Sequence, residues 1–135
     1  MIICGVELKS NNVIVSIIDT ANNDINYIDI KVKKLSLNDD QNQTSIVSFK
    51  NQIDNFIQEN TIDKIVIKKR AKKGNFAGGV ITFKIESIIQ LNSHCKVEFV
   101  TAQAITKYLK NNDVKFPDGL NKYQEQAYLS TLILL

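Results

Sequence analysis

Five cations fall within six positions, Lys68, Lys69, Arg70, Lys72 and Lys73. They follow the apolar run Ile65-Val66-Ile67 and lead into Gly74, Phe76, Gly78 and Gly79. A strand that ends this way carries positive charge to the rim of a sheet. Lysine and arginine there can grip phosphates, and such contacts dominate affinity for nucleic acid. Glycine lets backbone come close to a ligand, and a helix that begins near Val80 would aim free amides at an anion. Phe76 could stack on a base or anchor the loop in the core. The stretch is no Walker loop, because the G-x-x-x-x-G-K-[ST] spacing is absent. A solvated basic loop is the plain alternative, and a protein-binding loop is a third.

Other chemistry has less support. Cys4, Cys95 and the single His94 lack the paired spacing of a Cys/His zinc site. Two cysteines beside apolar runs read as reduced, packed thiols, which suits a cytoplasmic protein. His94, between a helix and a strand, reads as a surface residue. No Gly-x-Ser-x-Gly elbow supports Ser/His/Asp catalysis.

The elements that would carry the basic stretch can be read in order. Met1 to Glu7 is a short apolar strand, and residues 13–19 form a second, rich in β-branched side chains. Residues 25–32 alternate enough to make a third strand with one wet face. Short polar turns join these three into an antiparallel meander, and residues 36–44 read as loop. Ile46, Phe49, Ile53, Phe56 and Ile57 then recur at helical spacing. Residues 64–69 are a strand, Val80 to about Leu91 a helix, and residues 96–100 a strand. Thr101 can cap a helix from Ala102 to about Lys110. Asn121 with Gln124 resembles a capping box that opens a last helix. The order β-β-β-α-β-α-β-α-α predicts an α/β fold: a mixed five-stranded sheet, three-strand meander plus parallel strands, with helices on both faces.

A chain of 135 residues with 44% hydrophobic content fits one domain with one core. The net charge of +3 is mild, so the local cluster says more than the total. No apolar run approaches the roughly 18 residues of a membrane span. The N-terminus enters a strand without a basic n-region, so no secretory leader is expected. Richness in Asn, Lys and Ile points to an AT-rich bacterial genome.

This element order resembles the ribonuclease H-like fold. Cys4-Gly5-Val6-Glu7, the polar turn after it and the second strand ending at Asp19 resemble the opening of RuvC-type Holliday-junction resolvases. Residues 63–67 and 97–101 look like two further strands of that family. Cys4-Gly5-Val6-Glu7-Leu8-Lys9, Lys73-Gly74-Asn75-Phe76-Ala77-Gly78-Gly79 and Phe83-Lys84-Ile85-Glu86 resemble, over nearly the whole chain, a bacterial family of small proteins, domain of unknown function 3010.

The resolvase resemblance implies a test of the acids. Those enzymes hold two divalent metals with carboxylates from the first strand, the fourth strand and the last helix, since Mg²⁺ takes hard oxygen ligands. Here the first-strand acid is Glu7, one methylene longer than the usual aspartate. The fourth-strand position falls on Lys68 or Lys69, depending on register. The last helix offers Glu125, between Tyr123 and Gln126, and Asp118 lies in the loop before it. If the chain is an enzyme, Glu7, Glu125 and Asp118 are the catalytic candidates, Glu7 is the metal ligand and Mg²⁺ the cofactor, with Glu86 able to join a regrouped site. The plainer expectation is an ion pair between Glu7 and Lys68 or Lys69, no cofactor, and a catalytically degenerate nucleic-acid or phosphate binder. Its site would be Lys68, Lys69, Arg70, Lys72, Lys73, Gly74, Phe76, Gly78 and Gly79. A protein-interaction module is the remaining reading, with a homodimer through the apolar run at 132–135.

Overall fold

The computed structural model describes residues 1–70 and 79–135. Strand β1 (Ile2–Lys9) pairs antiparallel with β2 (Asn12–Asp19) in unbroken register from Ile2 opposite Asp19 to Lys9 opposite Asn12. Strand β5 (Lys64–Lys68) lies parallel to β1 on its other side, with Gly5 opposite Val66, and β6 (Lys96–Val100) continues parallel beyond it. β1 is therefore central, which is why six of its eight residues are buried although its faces differ.

The strand expected at residues 25–32 is shorter, and a further strand follows it where none was expected. β3 (Asn26–Ile28) pairs with the end of β2, and β4 (Lys34–Ser36) pairs with its beginning. Between them the chain leaves the ladder, with a Lys33–Asp29 ion pair at 3.0 Å on that excursion. Among the described residues the sheet thus has six strands rather than five, ordered β3-β2-β1-β5-β6, with β4 also on β2. Ser36, expected in a loop, ends β4.

Among the described residues, four α-helices cover the two faces. Strand pleating sends Cys4, Val6 and Leu8 to one face and Ile3, Gly5 and Glu7 to the other. Helix α1 (Gln43–Glu59) buries Phe49, Ile53, Phe56 and Ile57 on the Cys4 face, and α2 (Val80–Gln90) adds Ile85, Ile88 and Ile89 there. Asn42 caps α1 by accepting from the Ser45 amide at 3.0 Å. Helix α3 (Ala102–Asn111) contributes Ile105 to the second face, and Thr101 caps it through the Ala104 amide. Helix α4 (Glu125–Ile133) supplies Tyr128, Leu129 and Leu132 to that same core.

Two features seat α4. The capping box is present: Asn121 and Gln124 bracket a 3-10 turn just before the helix, and Gln124 Nε2 donates to the Val15 carbonyl at 3.0 Å. At Gly5, an added Cβ would stand 1.8 Å from the Ala127 carbonyl oxygen. Helix backbone rests directly on strand backbone there, and only glycine leaves that room. The C-terminal run is only partly the exposed surface expected of it. Leu132 is core, Ile133 is half-buried, and Leu134 and Leu135 are exposed. The reason is that α4 is buried nearly all round, so its last turn still faces the sheet.

Candidate nucleic-acid interface

The contact of α4 with β1 at Gly5 brings the helix's first turn over the carboxyl ends of β1 and β5. Glu7, two residues beyond Gly5 on the same face, is 7% exposed. Lys68 ends β5 on that face, two residues beyond the core residue Val66. Its ammonium donates to Glu7 Oε2 at 3.4 Å and to Gln126 Oε1 at 3.0 Å. The ion pair is largely enclosed, with side-chain exposures of 19% for Lys68 and 9% for Glu7. Lysine carries three donors and no acceptor, so two of the three are spent on one strand and one helix. The sequence left Lys68 and Lys69 as alternatives for this place, and pleating assigns it to Lys68.

Gln126 was missed by sequence reasoning, which looked for an acid on the last helix. The signal was present: a neutral acceptor one position past Glu125, in the first turn of a helix whose next residues are all buried. Glu125 is half-buried, in the first turn of α4. Among the described residues, no three His, Cys, Asp or Glu side chains converge on a point that could hold a metal. Asp118 precedes Gly119, which lies against Asp29 and Tyr27 over the β3 side of the sheet, and β2 separates that side from β1. Glu86 belongs to α2 on the opposite face.

The basic stretch continues from this rim. Lys69 is exposed and its amide donates to the Val100 carbonyl at 2.7 Å, which prolongs the β5–β6 pairing by one residue. Arg70 is half-buried. Lys72, Lys73, Gly74, Phe76 and Gly78 lie outside the described residues. Gly79 stands at the N-cap of α2 in ordinary extended geometry, and a Cβ added there meets nothing within 4 Å. Among the described residues, no protein contact demands glycine at that position. The Thr82 amide donates to the Gly79 carbonyl at 3.1 Å and the Thr82 hydroxyl at 2.6 Å.

The thiols are elsewhere. Burial pushes the Cys4 thiol far above its ordinary value of 9.0, with Cys95 a smaller contributor, and burial also raises Cys95. Neither is poised as a nucleophile. His94, expected on the surface, is exposed and sits 3.8 Å from Asp54 on α1. No helix among the described residues is long and apolar enough to cross a membrane.

Comparison with solved structures places this architecture in a class. Thermus thermophilus RuvC superposes with a TM-score of 0.72 at 4% identity, over 98% of this chain and 92% of that one. T. thermophilus RuvC in complex with a Holliday junction substrate gives 0.63 at 6% identity, over 98% and 91%. The fowlpox virus Holliday junction resolvase gives 0.55 at 18% identity, over 99% and 94%. The fold is ribonuclease H-like and resembles that of RuvC and the poxvirus resolvase. Within that class, the chain belongs to the family described as protein of unknown function (DUF3010), whose model matches residues 1–133. The search of curated proteins gives no match.

Proposed function

We propose that this protein binds nucleic acid at the rim where β5 ends, with the cations of the sequence stretch 68–73 contacting phosphates, and does so without cutting it. One observation carries the reading: the Lys68 ammonium sits between Glu7 and Gln126, where the resolvase resemblance calls for carboxylates around metal. A cation fixed by two hydrogen bonds neutralises Glu7 and repels a second cation, so this donor set does not fit a paired Mg²⁺ centre. The surrounding charge still suits phosphate, with Lys69 exposed and three further cations following it. Two of the similar structures are complexes with Holliday junction DNA, which makes branched DNA the first ligand to try.

The test is fluorescence anisotropy with a labelled four-way junction, a duplex and a single strand, alongside cleavage assays in Mg²⁺ and Mn²⁺. The expected result is salt-sensitive binding with intact DNA. Cleavage that disappears in Glu7→Gln would instead make this a metal-dependent nuclease with rearranged carboxylates. No binding at low salt to any of the three would remove the nucleic-acid reading.

A further inference from the structure

On the sheet face opposite Glu7, a pocket of about 240 Å³ opens between α2 and the outer strand β6. Lys69, Phe83, Glu86, Gln90 and Phe99 line it. Strand pleating explains the placement: Lys68 turns toward α4, so Lys69 turns toward α2. On the helix, Phe83, Glu86 and Gln90 follow i, i+3, i+7 spacing and form one stripe. The neighbouring stripe of Ile85, Ile88 and Ile89 goes fully into the core. Among the described residues β6 ends the sheet, so Phe99 has no strand beyond it. Both phenylalanines are therefore only half-buried.

The lining has a definite chemistry. Two aromatic side chains line it, and an aromatic side chain can stack a flat ring. Gln90 can both donate and accept. Lys69 supplies positive charge to the lining. The volume is below the roughly 300–1,000 Å³ of sites for drug-sized ligands, which leaves room for one planar ring. We infer that this pocket takes a single unpaired nucleobase, whose phosphate lies against Lys69. The inference rests on the nucleic-acid reading above and adds a preference that reading lacks: one splayed base rather than backbone alone. A base held in a duplex cannot enter without unstacking, so single strands, gaps and junction centres are the forms that would be held.

The experiment uses the whole protein and a short single strand in which each position in turn is made abasic. Stacking of one base is worth about 5- to 150-fold in affinity, so one or two abasic positions should weaken binding by that factor while the rest do nothing. An aminopurine reporter at the sensitive position should change its emission on binding. Phe99→Leu and Phe83→Leu, chosen to keep the apolar volume, should abolish the position dependence while circular dichroism stays unchanged. Equal affinity for every abasic strand overturns the pocket and leaves the nucleic-acid reading standing. So does a position dependence that survives both substitutions. Failure of every single strand to bind overturns the pocket, and the nucleic-acid reading falls with it only if the four-way junction and the duplex also fail to bind. Free adenosine monophosphate, added as a competitor, separates the sources of the base: displacement of the bound reporter strand by the mononucleotide at concentrations no higher than the strand itself requires would overturn the splayed-base assignment.

Discussion

Removing the Lys68 side chain should cost far more stability than removing an ordinary surface lysine. Glu7 is 7% exposed, and its one ion-pair partner among the described residues is the Lys68 ammonium at 3.4 Å. Truncating one member of a buried pair typically costs about 3–5 kcal/mol, because the other charge is left uncompensated. Lys68 keeps 19% of its side chain exposed at the rim, so water can partly replace it, and the lower end, about 3 kcal/mol, applies to Lys68→Ala. For a chain of this length that is a fall in Tm of roughly 10 °C. The assay is a thermal melt of wild type, Lys68→Ala, Lys68→Met, Glu7→Leu and the Met/Leu double variant. Replacing both partners with apolar side chains is often near neutral, so the double variant should lie within about 1 kcal/mol of wild type, with a coupling of about 2 kcal/mol or more. Additive single effects, or a Lys68→Ala melt within about 3 °C of wild type, would refute the enclosed ion pair as the organiser of the rim.

Three further outcomes follow from the same geometry. Gly5→Ala should exceed the usual cost of about 1–3 kcal/mol for overpacking, because its Cβ would stand 1.8 Å from the Ala127 carbonyl and α4 would have to move. Near-ultraviolet circular dichroism should lose the signal of Tyr128, which packs edge-on against Tyr27 and Phe116. Lys72→Ala with Lys73→Ala should weaken nucleic-acid binding and flatten the dependence of log K on log salt by about one for each phosphate no longer neutralised. Stability should decline in alkali. Burial raises the Cys4 and Cys95 thiols in the folded state, so the native protein keeps protons that the unfolded chain releases. That stability is fully present below about pH 9 and is lost as pH rises above it, at about 1.4 kcal/mol per pH unit for a fully buried thiol. Tyr27 and Tyr128, raised by burial, add to the loss above about pH 10. Urea melts from about pH 7 to 11 would show it, and a flat profile would count against the buried thiol.

Much of the fold was legible because its signals are local. The helical spacing of Phe49, Ile53, Phe56 and Ile57, the Thr101 cap and the Asn121/Gln124 box each act within a few residues. The short β3 and the further strand β4 were not legible, because the alternation at residues 25–32 does not mark where the chain leaves the ladder and only pairing to β2 defines residues 34–36. The rim was half legible. Glu7 and the lysine cluster stand out by type, but Ile65, Val66 and Ile67 are all apolar, so parity gave no sign of which lysine turns toward Glu7. Gln126 was invisible to a search for acids, since its role depends on the close approach of α4 at Gly5. Asp118 shared a charge with Glu7 without sharing a place, because the loop that carries it lies over the β3 side of the sheet.

The non-cutting binder proposed above depends on an ammonium group, rather than a metal, standing beside Glu7. A crystal structure of the protein grown in Mn²⁺, with anomalous data collected for that ion, decides the point. Lys68 Nζ should lie within hydrogen-bonding distance of Glu7 and Gln126, with no anomalous peak at the Glu7 carboxylate. A manganese peak coordinated by Glu7, with Lys68 swung away into solvent, would contradict it.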